Sequence, residues 1–173
     1  MKPVELLQGK WLGHPLHPAI VHVPIGLWIV AAILDYVGRD AARDSVIPLL
    51  AIFCVGTGLV GALLAVPTGV ADWSSIKKEK PAWKLGLYHL ALNLLAAILW
   101  AANFGLRWTA LSTPHPITPP ILATSTAGAV LVVLSGYLGS LMVFDHGISV
   151  ARQSKAKWRR QAEAGGARLP ESK

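Results

Sequence analysis

The chain is poor in cysteine, in acidic residues and in charge altogether: one Cys, nine Asp and Glu, and 14% charged residues among 173. A single cysteine, Cys54, can form no intrachain disulfide and cannot build a thiolate metal cage, so any metal chemistry falls to nitrogen and oxygen donors. Soluble domains carry roughly 25% charged residues, and this shortfall excludes an ordinary water-facing surface. Period-two alternation is also missing, which excludes the strands of a membrane barrel. No nucleophile with a matched base stands out, and Ser125, Ser135 and Ser140 read as packing residues.

What is abundant is apolar sequence, 53% of the residues, with a mean hydropathy of +0.50. It comes in four blocks, Ala19 to Val37, Val46 to Val66, Leu85 to Leu106 and Ile121 to Phe144. Each is close to the ~20 residues a helix needs to cross about 30 Å of hydrocarbon. The expectation is an all-α, integral membrane four-helix up-and-down bundle. It divides into a segment 1–17 with a His-Pro motif, a four-span domain 18–147 (spans about 18–38, 46–67, 84–106 and 120–146), and a basic tail 148–173. Met1 to Lys10 hold no apolar core of signal-peptide length, so the first span is expected to be retained.

Thirteen Lys and Arg collect at one end of the threaded bundle and three, Arg39, Arg43 and Arg107, at the other. Cytoplasmic loops carry the basic excess, which predicts cytoplasmic N and C termini. The net charge of +7 is thereby explained by topology, and no nucleic-acid surface is expected. The tail from Arg152, with Trp158 in it, reads as a solvated topology signal.

Five of the six histidines, His14, His17, His22, His89 and His146, then fall at the basic end. Ionisable groups at the edge of lipid are a functional-site hypothesis by default. His14-Pro15-Leu16-His17-Pro18 reads as an extended entry, with a helix starting near Pro18 and His22 one turn in. Pro67 and Gly69 are expected to end the second span and leave Asp72 at its mouth, able to orient an imidazole. His89 and Asn93 share a face of the third span, and Gly147 reads as the stop of the fourth. Glycines in spans two and four either pack helices or leave a slot for a flat macrocycle.

In a square bundle the first and third spans are diagonal, so His22 and His89 are expected to face each other as axial ligands of one haem b, with His146 the first substitute. His14, His17 and Asp72 would serve its propionates or a quinone or proton site. A divalent transition metal held by the same His and Asp cluster is the alternative cofactor, and polar glue between helices of a structural or partner-binding subunit is the third reading. Electron transfer or binding is favoured over stand-alone catalysis. Transport is disfavoured, since no inverted repeat and no second intramembrane polar layer is evident; Asp35, Tyr36 and Asn103 read as interfacial. The lipid bilayer is the certain partner, and a homodimer is permitted by the glycine faces.

These motifs carry a resemblance. The opening His14-Pro-x-His-Pro-x-x-Val-His-x-Pro-Ile-Gly26, the Pro67-Thr-Gly-x-x-Asp-Trp73 turn, His89-x-x-x-Asn93 and the closing Asp145-His-Gly resemble the DUF2231 family of small four-helix bacterial membrane proteins over roughly residues 11–150. The resemblance implies His14, His17, His22, Asp72, His89, Asn93 and His146 as site positions. Some members look joined to a Rieske-type iron–sulfur domain, which implies electron transfer; this chain lacks the Rieske ligands, so such a partner would be a separate protein.

Overall fold

A computed structural model describes residues 1–40, 42, 45–148, 160 and 162–167. Arg43 and most of the basic tail, including Arg152 and Trp158, lie outside the described residues. Helix α1 (Pro3–Leu7) and a 3-10 turn (Lys10–Leu12) precede α2 (Leu16–Ile20) and α3 (His22–Val37). Three long helices follow: α4 (Ile47–Ser74), α5 (Pro81–Ala110) and α6 (Pro119–Phe144). Together α2 and α3 form a first span, Leu16–Val37, and all four spans are long and apolar enough to cross a membrane.

Prolines explain the helix starts. Pro81 and Pro119 stand at the first positions of α5 and α6 behind extended Lys80 and Thr118, where a missing N–H costs nothing. Helix α2 starts at Leu16, two residues before the expected Pro18, with Pro15 as its extended cap. The first span is interrupted at Val21. Pro24 supplies the reason: it cannot donate to the carbonyl of Ile20 and its ring clashes there.

Pro67 does not end the second span as expected, and α4 continues through it to Ser74. Pro67 removes a single backbone bond, the one to the Leu63 carbonyl, and the ladder on either side carries the helix through. Asp72 consequently stands in the last turn of α4 instead of in a loop beyond it. Gly147 does act as a stop: it takes φ 62°, and the Ile148 N–H returns to the Met142 carbonyl at 2.9 Å.

Around the bundle, α3 packs on α4 and α6, and α5 on the same two, which leaves α3 diagonal to α5. The core on this diagonal is small side chains around two tryptophans. Trp28 and Trp100 stack with ring centroids 5.6 Å apart and planes 13° apart, embedded among Ala31, Val55, Ala96 and Val132. Gly58 and Gly128 supply the floor under each indole, for a Cβ at Gly128 would come within 2.6 Å of Trp100 Nε1. Outward-facing side chains such as Phe53, Leu63, Ile98 and Val133 are exposed apolar groups, as a lipid-facing surface requires.

Candidate functional site at the basic end

At about 100° per residue, His17, Trp28 and Asp35 fall on one face of the first span, whereas His22, five residues past His17, is turned about 140° away. The inward histidine is therefore His17. Its ring, on α2, and that of His89 on α5 meet across the diagonal of the first and third spans, centroids 6.3 Å apart and planes at 89°. The expected His22–His89 pair is corrected by this geometry: His22 is exposed, and its Nδ1 donates to the Ala19 carbonyl one turn back at 3.3 Å. It still borders the cavity that the pair lines.

Both inward imidazoles are fixed in the same way. His17 Nδ1 donates to the Ala65 carbonyl of α4 at 3.0 Å, and His89 Nδ1 to the Ser135 carbonyl of α6 at 2.8 Å. A carbonyl accepts only, so each ring carries its hydrogen on Nδ1 and keeps a lone pair on Nε2. Helix glycines make room for them: a Cβ at Gly69 would lie 2.6 Å from His17 Cε1, and one at Gly139 3.0 Å from His89 Cε1. Asn93 Nδ2 reaches His89 Nε2 at 3.1 Å and Ser135 Oγ at 2.6 Å, so the expected His89–Asn93 alignment is a hydrogen bond. His17 Nε2 has no hydrogen-bond partner among the described residues.

Below the rings lies a cavity of about 280 Å³, lined by both histidines, His22, Asn93, Gly136 and Met142 and floored by Trp28. It meets a wider basin of about 970 Å³ at Asp72 and Ile148, which line both. Lys10, Lys77, Lys80, His14, Asp145 and His146 rim that basin, with His14 and His146 exposed as expected for mouth residues. Asp72 is half-buried and near enough to His17 for their charges to interact. Its anchorage is local: the Gln8 amide donates to the Ala71 carbonyl at 3.0 Å and to Ser75 Oγ at 2.6 Å, drawing α1 across the end of α4. Among the described residues no three or more His, Cys, Asp or Glu side chains come together to hold a metal ion.

The opposite end holds what the sequence reading missed. Asp35 and Arg107, 0% and 3% exposed, form an ion pair across the same diagonal. Ser125 Oγ donates to the same Asp35 oxygen, and Asn103 Oδ1 accepts from Arg107 Nε at 2.7 Å. Asp35 and Asn103 are thus buried, not interfacial, and Arg107 is not a loop charge. Ser125 and Ser135, read as packing residues, belong to polar networks at opposite ends of α6. The available signal was spacing, since Asp35 follows Trp28, and Arg107 follows Trp100, by seven residues on the inward face.

The family model for DUF2231, a predicted membrane protein, matches residues 13–152. The chain belongs to the DUF2231 family. The matched stretch of this DUF2231 protein holds all four spans and every site residue from His14 to His146. No curated protein and no solved structure matches it.

Proposed function

We propose that this DUF2231 protein is a membrane b-type haem protein that passes electrons at its basic end, with His17 and His89 as the side chains that would hold the group. The observation that carries the reading is the diagonal pair itself: two inward imidazoles, each with Nδ1 tied to a carbonyl, so that the lone pair lies on Nε2, which on His89 accepts from Asn93. The two rings stand 6.3 Å apart between centroids with perpendicular planes, beside open volume, and would hold the group through their Nε2 atoms. A bare ion needs more side-chain donors than the two rings supply.

Bound haem supplies reversible one-electron chemistry at its iron. The protein's own groups do the rest. The Ala65 and Ser135 carbonyls orient the rings and fix the tautomer that leaves the lone pair on Nε2. Trp28 closes the cavity toward the bilayer centre and keeps water out, while Asn93 yields His89 Nε2 to the metal. Lys10, Lys77 and Lys80 offer charge-assisted hydrogen bonds to carboxylates in the basin, where an electron partner such as a quinone or a separate Rieske-type protein would approach. The basic excess orients this end to the cytoplasm of a bacterial inner membrane.

The test is a visible spectrum of detergent-purified protein from haem-supplemented cells, before and after dithionite. A Soret band, with α and β bands that sharpen on reduction, is the expected result. A folded, helical protein without a Soret band would overturn the proposal.

A further inference from the structure

We infer that the chain is a tandem repeat of one helix hairpin, its halves related by a pseudo-twofold axis along the bundle, and that the ligand site lies on this axis. His17 and His89, Trp28 and Trp100, and Asp35 and Arg107 are each 72 positions apart. Every one of these pairs also meets across the diagonal of the first span (α2 and α3) and α5: two rings at 6.3 Å, two stacked indoles at 5.6 Å, and a buried ion pair. Helices α4 and α6 repeat with an offset of 70. Gly69 and Gly139 each lie against their own half's histidine, and Gly58 and Gly128 against its tryptophan. The carbonyls that take the two Nδ1 hydrogens, Ala65 and Ser135, keep the same offset. Outer faces agree as well, with Val60 and Val130 both exposed to lipid.

Because α3 and α5 run in the same direction, the axis is parallel to the helices, and this is a parallel repeat of the kind known from membrane proteins built of two like halves. A search for an inverted repeat cannot find it. The halves differ where the pair is charged. Arg107 has a polar cradle in Asn103 and Ser125, and the equivalent positions beside Asp35 are Ala31 and Val55. The third layer is therefore a positioning lock: it accepts one half of each kind, and by pairing them it holds the two histidines opposed at the other end. On the proposed haem reading, on which this last consequence rests, the occupant is one that takes two equivalent nitrogen donors on one line; the repeat itself holds whatever the occupant is.

The experiment moves the lock to the other half in the full chain, combining Asp35→Arg, Arg107→Asp, Ala31→Asn, Asn103→Ala, Val55→Ser and Ser125→Val. Asp35→Arg alone, which sets two guanidinium groups together, is expected to collapse the detergent melting transition. The complete transplant is expected to restore it to within a few degrees, and a transplant as unstable as the single variant would overturn the equivalence. Spin-label distances on lipid-facing positions give a second measure, in a Cys54→Ala background. The Val30–Val130 and Ala102–Val60 separations are expected to agree, and a difference larger than the width of their distributions would overturn the repeat. Neither readout requires haem, so failure of the repeat and absence of a Soret band are separate results.

Discussion

The two polar layers of this bundle use the same diagonal of helices and opposite designs. At the basic end, His17 and His89 line open space, and His17 Nε2 has no hydrogen-bond partner among the described residues. At the far end, Asp35 and Arg107 are enclosed by Asn103, Ser125 and Thr124, and Asp35 Oδ1 is a buried atom without a partner among the described residues. Between them the stacked tryptophans and their alanine and valine surround form a dry partition. Polar side chains in lipid need partners, and the two ends find them differently. One leaves donor capacity for something that enters, whereas the other spends its capacity inside the protein. Burial of an ionisable group is thus a poor guide to a ligand site by itself; vacant volume beside it makes the distinction.

The sharpest way to break this comparison is at the lock. Arg107→Leu strands a buried carboxylate and is expected to cost about 3–5 kcal/mol in unfolding from detergent micelles. Asp35→Leu with Arg107→Leu should recover most of that loss, since a buried pair replaced by apolar groups is often neutral. A single variant as stable as the parent would mean that the far layer locks nothing.

At the basic end the expected effects are on binding. His17→Ala and His89→Ala should each abolish a low-spin haem spectrum while costing only about 0.6–1.7 kcal/mol, the range of hydrogen bonds in membrane bundles. His22→Ala should keep the spectrum. Loss with His22→Ala and retention with His17→Ala would reverse the assignment drawn from the helix face.

Smaller changes sharpen the same contrast. Gly69→Ala places a methyl 2.6 Å from His17 Cε1, against 3.0 Å for Gly139→Ala and His89, so the first should weaken haem retention more than the second in a dissociation assay. The smallest effect concerns the mouth, where the Lys2 backbone N–H and then Lys10 hold the Glu5 carboxyl below the usual carboxylate range. A depressed carboxylate stabilises above its unfolded pKa and loses that contribution as pH falls through the folded value. The protection of α1 amides, taken relative to their intrinsic exchange rates, should accordingly fall on acidification below about pH 4, and Glu5→Gln should remove the dependence.

Much of the fold was legible because lipid leaves so few options. Backbone groups in hydrocarbon must be satisfied within the segment, so four apolar blocks of sufficient length can only be four helices. Pro81 and Pro119 at helix starts and Gly147 at a helix stop acted through local backbone chemistry that neighbours do not alter. Pro67 misled, because the loss of one backbone bond in a long membrane helix need not end it. The histidine site was legible as a layer and illegible as a pair. Choosing between His17 and His22 required the rotation of the first span, which shifts with a helix start two residues early and an interruption at Val21.

The sequence by itself determined a membrane bundle with its histidines at the basic end, since composition, block length and charge asymmetry act without reference to any contact. Only the tertiary structure decided which histidines meet, that Asp35 and Arg107 are partners, and that the two halves repeat each other. These are statements about pairs brought together by packing from 72 positions apart. Spacing along one helix records which face a residue occupies, but the identity of what it faces is fixed only when the diagonal helices close on each other.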